Sequence, residues 1–125
     1  DGLMITPWHP IKFKDQWMFP QKIYEANTFE ITEKILQCDY VYNFVLETTR
    51  EHSMMVNGYR CITLGHGIND NEVTRHDYFG TQRVVKDLSQ MNGADTGIIE
   101  LRNGCLQRAP EYDSNDHQRV VGMLQ

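Results

Sequence analysis

Asn57 and Gly58 stand between two apolar runs, Ser53-Met54-Met55-Val56 and Tyr59-Arg60-Cys61-Ile62-Thr63-Leu64. Asn-Gly is the pair that most readily supplies two successive residues at positive φ, as a two-residue hairpin turn requires. The flanking runs, Ser53 to Val56 and Tyr59 to Leu64, are therefore expected to pair as antiparallel strands. Just upstream, Asp39 to Glu47 reads DYVYNFVLE, rich in residue types that suit a pleated surface, and is expected to form a strand. Four prolines and nine glycines punctuate the other apolar runs, which keeps them short and favours β structure. Leu3 to Ile5 reads as a short strand. Trp17 to Phe19 is a second apolar patch, stopped by Pro20. Phe29 and Ile31 alternate with polar residues in the manner of a half-buried strand. Ile98 to Leu101 and Cys105 to Gln107 flank Arg102-Asn103-Gly104 as a second hairpin candidate. Pro110 to Asp116 is a polar loop, and Val120 to Leu124 a last strand. One helix is predicted, in the C-terminal half: Thr81 caps it, Val84, Val85, Leu88 and Met91 follow at helical spacing, and Gly93 ends it. The fold class is mainly β with one helix.

Charge and cysteine content narrow the functions available. The 125 residues suffice for one domain and carry a formal charge of −5. The twelve basic residues are scattered, so a nucleic-acid partner, which demands clustered Lys and Arg, is not expected. No apolar run has the length of a membrane helix, and no membrane association is expected. Cys38, Cys61 and Cys105 are odd in number, widely spaced and without a C-x-x-C pair, which points away from a disulfide framework and towards a reduced, cytoplasmic setting.

Two motifs carry chemistry. Thr6-Pro7-Trp8-His9-Pro10 places a hydroxyl and an imidazole three residues apart, with prolines that restrict the backbone on both sides. The second runs from Val41 to Gly58, VYNFVLETTREHSMMVNG: a strand, then a histidine, then the Asn-Gly turn. Together they resemble the Hint superfamily, the self-processing domains of hedgehog proteins and inteins, with its Thr-x-x-His motif and its later Val-Tyr-Asp strand, histidine and Asn-Gly turn. TPWHPI, NGYRCITLGHG, HDYFGTQRVVKDL and the spacing between them resemble more closely the Vint subgroup, found beside von Willebrand A domains. The resemblance implies a Hint-like twisted β fold, incomplete here, spanning residues 1–125 as one partial domain with a C-terminal extension from about 67 to 125.

It also implies an activity: self-cleavage begun by an N-to-S or N-to-O acyl shift. In this chemistry a Cys or Ser at the head of the domain attacks the preceding carbonyl. The amide nitrogen leaves only as it gains a proton, which the motif's histidine, His9, would supply as general acid. The Thr6 hydroxyl would hold the tetrahedral intermediate or the strained amide. His52 opens the second motif and, with Asn43, would support them. Asn43 stands where many family members have Asp, and an amide only donates and accepts hydrogen bonds, so acid–base work there is weakened. No Cys or Ser occupies the family's nucleophile position, five residues or fewer before Thr6 being too close. The nucleophile is expected on an upstream segment, and the expected partner is that segment or a flanking domain, such as one of von Willebrand A type. Where a splicing domain would end in Asn, the region after the hairpin reads Cys61-Ile62-Thr63, so splicing is not expected and N-terminal cleavage remains.

Cys61 and His66 bracket CITLGHG, and a turn at Gly65 would let the imidazole raise the thiolate fraction, making Cys61 an auxiliary thiol or even a hydrolase nucleophile. The ordinary alternative is a core cysteine and a loop histidine. Cys38, Cys61, His52, His66 and His76 have ligand chemistry for zinc but lack close spacing, so no metal and no organic cofactor is expected. Tyr78-Phe79 reads as a hydrophobic staple at the helix start. The alternative to autoprocessing is a non-catalytic β module that binds a protein on a degenerate Hint scaffold.

Overall fold

The computed structural model describes residues 2–26, 31–47, 52–115 and 117–124. Its first sheet grows from two tight hairpins. β1 (Ile11–Phe13) and β2 (Gln16–Met18) are joined by Lys14 and Asp15, both in the left-handed region at φ 48° and 69°. β3 (Ser53–Val56) and β4 (Tyr59–Ile62) are joined by Asn57 and Gly58 at φ 49° and 87°, the turn that the sequence demands. β4 also pairs with β1, Cys61 opposite Ile11, so the antiparallel order is β2-β1-β4-β3. Pro20 does not merely stop the preceding apolar patch. It begins α1 (Pro20–Glu25), where its missing N–H is one that a helix start leaves unpaired anyway. This short helix lays Ile23 against Ile11 and Cys61, and the three form a small core edged by Leu3, Ile5, Phe13, Met18, Ile31, Val56 and Tyr59.

A second core lies downstream. α2 (Gln82–Ser89) starts where expected, with the Thr81 hydroxyl accepting the Arg83 amide, and ends at Gln90, short of Gly93. β5 (Leu106–Arg108) pairs antiparallel with β6 (Val120–Met123). Tyr78, Val84, Val120 and Met123 are buried between them, and Leu64, Phe79, Val85 and Leu88 pack on that cluster. The aromatic pair before α2 thus holds the helix to the second sheet. Among the described residues the architecture is mainly β, with two antiparallel sheets and one longer helix, consistent with a Hint-like fold.

Three expected strands differ. Asp39 to Glu47 forms no strand: only Val45 bridges Leu64, in parallel, while Tyr40, Val41, Tyr42 and Phe44 remain exposed. High β propensity is realised only against a partner strand and a buried face, and this stretch has neither among the described residues. Ile98 to Leu101 does not pair with Cys105 to Gln107. Ile98 is exposed, and residues 106–108 pair instead with the apolar β6, whose Val120 and Met123 bury in the core. Leu3 to Ile5 packs on the first core without a ladder. Phe29 lies outside the described residues. No helix among those described is long and apolar enough to cross a membrane.

Candidate functional site

The TPWH stretch closes a turn, with the His9 amide donating to the Thr6 carbonyl at 3.3 Å. Pro at the second position of such a turn has its φ already set. The turn is fixed from two sides. The Gln21 amide at the start of α1 donates to the Pro7 carbonyl at 3.0 Å, and the Ile62 amide at the end of β4 donates to the Pro10 carbonyl at 3.1 Å. Trp8 packs edge-on against Phe19 with ring centres 5.2 Å apart, and its face lies 5.7 Å from the His117 ring.

Within this frame, His9 Nε2 donates to the Ile62 carbonyl at 2.8 Å. A carbonyl only accepts, so Nε2 carries the proton and Nδ1 of the neutral ring is the basic nitrogen. Burial lowers the His9 pKa from its ordinary value, with the Ile62 carbonyl opposing. The imidazole is therefore neutral at pH 7, oriented, and able to take a proton on Nδ1. Thr6 is exposed, three residues away across the turn.

The second motif converges on the same end of β4. The His52 carbonyl accepts both the Thr63 amide, at 3.3 Å, and the Thr63 hydroxyl, at 3.0 Å. The exposed His52 ring donates through Nδ1 to the His66 carbonyl at 2.6 Å. The Leu64 amide donates to the Phe44 carbonyl at 2.8 Å, which ties the Asn43 segment to this strand end, with Asn43 itself exposed. The chain thus brings the His9, His52 and Phe44 segments to consecutive residues, Ile62 to Leu64.

Cys61 and His66 are held apart in role. Cys61 is buried in the first core, its thiol directed to the Tyr59 carbonyl at 3.8 Å, and burial pushes its pKa up, away from the thiolate. His66 is buried as well, and its Nδ1 accepts the Ile68 amide at 2.9 Å. Among the described residues no three of His, Cys, Asp or Glu are grouped as metal ligands would be.

Two contributors escaped the sequence reading. The Ile62 carbonyl sets the His9 tautomer, and no side-chain pattern signals a backbone group. His76, read only as a ligand candidate, accepts the Tyr78 and Phe79 amides on Nδ1 at 3.2 and 2.9 Å. Its place two and three residues before those amides is the spacing of a side-chain turn cap and was the available signal.

A family model described as Vint, a Hint domain, matches residues 1–114. The chain belongs to the Vint family of Hint domains. The match takes in Thr6, His9, Asn43, His52, Cys61, His66 and all of α2, and ends before β6. No curated protein matches the chain. As a Hint domain, this Vint chain is of the autoprocessing type at the family level.

Proposed function

We propose that this Vint domain activates a scissile peptide bond for an N-to-S or N-to-O acyl shift, with the nucleophile supplied by a Cys or Ser on an upstream segment or flanking domain. The observation that carries the reading is the His9 ring, fixed through Nε2 on the Ile62 carbonyl at 2.8 Å with its pKa lowered by burial. A neutral Nδ1 takes the proton from the attacking thiol or hydroxyl as the new C–S or C–O bond forms. The resulting imidazolium, a stronger acid for having a lowered pKa, returns that proton to the amide nitrogen as the C–N bond breaks. The products are a thioester or ester and a free amine, with no proton gained or lost overall. Thr6 steadies the tetrahedral oxyanion from across the turn. His52 supports the site by holding Thr63, next to the carbonyl that orients His9. Asn43 contributes by hydrogen bonding alone. Cys61 would act as an auxiliary acyl acceptor only after leaving its core position.

The test is intact mass and N-terminal sequencing of the protein carrying its upstream segment, as wild type and as His9→Ala. A discrete break before a Cys or Ser in wild type, slowed at least about a hundredfold in the variant, is expected. Equal behaviour of the two would end the proposal.

A second reading, a non-catalytic protein-binding module, is favoured by the exposed Tyr40, Val41, Tyr42 and Phe44. It predicts that both proteins stay whole.

A further inference from the structure

Between the two cores the chain makes a joint. The Gly65 amide donates to the Phe79 carbonyl at 2.7 Å and the Gly67 amide to the Gly80 carbonyl at 2.8 Å, so residues 65–67 run beside 79–80. Two histidine rings hold the two sides of this joint in shape. His66 accepts the Ile68 amide on Nδ1 and lies directly under Gly80, where a Cβ would stand 2.9 Å from its Nε2. His76 accepts the Tyr78 and Phe79 amides on Nδ1 and stacks beside the Phe79 ring, with centres 4.8 Å apart. Each role needs an Nδ1 without a proton. Protonation sets an N–H against one backbone N–H at His66 and against two at His76, and removes every bond just named for these rings.

We infer that His66 and His76 form an acid-release latch, closed while both rings are neutral and opened by their protonation. The surroundings of both rings mostly resist their charge. His66 is faced by the His52 ring, by His76 and by the Thr74 backbone, of which the last alone favours a charged ring. His76 is faced by Arg119, His66 and His117, which disfavour its charge, and by Asp77, which favours it. Burial is the largest effect at both and lowers both, His76 to about 4. With the closed-state value below the open-state value near 6.5, the open form binds more protons between those limits. Acid therefore opens the joint, starting below pH 6.5 and completing near 4. Opening releases residues 65–67 from 79–80, while Ile62 to Leu64 keep their own bonds to Pro10, His52 and Phe44.

The test uses the intact chain. Nitrogen-15 NMR of the histidine rings at pH 7 is expected to show both Nδ1 atoms unprotonated, and a protonated Nδ1 in either would overturn the latch. Amide-exchange protection of Gly65 and Gly67, corrected for intrinsic rates, is expected to fall about a hundredfold between pH 8 and pH 4. Asn at both positions keeps an acceptor for the same amides and does not titrate. The double variant His66→Asn, His76→Asn should therefore keep its protection at pH 4, and an undiminished fall would overturn the proposal. Where that variant fails to fold, the ring measurement on wild type decides.

Discussion

At the scale of single residues, the proposed activity turns on the tautomer of His9. The Ile62 carbonyl fixes Nε2–H, and burial keeps the ring neutral at pH 7. With the folded pKa below 6.5, the cleavage rate should be level at neutral pH and fall on acidification, with its inflection below 6.5; a pH–rate profile checks this. His9→Gln keeps a hydrogen-bond donor for Ile62 but no proton shuttle, so it should preserve the fold and lose the rate. Gly80 is decided by space. A Cβ there would stand 2.8 Å from the His76 carbonyl and 2.9 Å from His66 Nε2. Gly80→Ala should cost roughly 1–3 kcal/mol in denaturant titration. Thr6 and His9 stand out as candidates because side chains appear in the sequence, whereas the partner of His9 is a main-chain oxygen 53 residues away.

At the scale of elements, the hairpins differ in turn chemistry. Asn57-Gly58 meets positive φ at small cost, while Lys14-Asp15 holds the same region with two Cβ-bearing residues. Replacing Lys14-Asp15 with Asn-Gly should stabilise the chain by roughly 1 kcal/mol, read as a raised denaturant midpoint with unchanged slope. Removing the α2 cap with Thr81→Ala should cost about 1 kcal/mol by the same measurement. These two turns show what local sequence settles. The Asn-Gly hairpin and the Thr81 cap are local devices and were legible. The fate of Asp39 to Glu47 was not, because a strand depends on a partner, and propensity says nothing of whether one is present. The pairing of β5 with β6 across an intervening loop, in place of a hairpin at Asn103-Gly104, was decided by which strand buries Val120 and Met123.

At the scale of the molecule, the two cores divide the chemistry. The first buries Cys61 and raises its pKa, so Cys61 should resist a thiol reagent at neutral pH while the exposed Cys38 reacts at once. Mapping alkylated peptides by mass distinguishes them, and rapid labelling of Cys61 would revive the thiol nucleophile. The end of β4 lies between the cores and gathers the His9 turn, the His52 bonds and the histidine joint in five successive residues, 62–66. The family match over residues 1–114 takes in that convergence, where we propose the acyl shift is activated. The most direct measurement is to treat the protein carrying its upstream segment with hydroxylamine and weigh the released upstream fragment. Expected at neutral pH is a fragment that ends immediately before a Cys or Ser and bears a C-terminal hydroxamate, the product of an intercepted thioester or ester; breaks at Asn57-Gly58, Asn92-Gly93 or Asn103-Gly104, which the reagent itself cleaves, have different masses and do not count. An uncleaved protein, or a fragment ending in an ordinary carboxylate, would contradict the proposal.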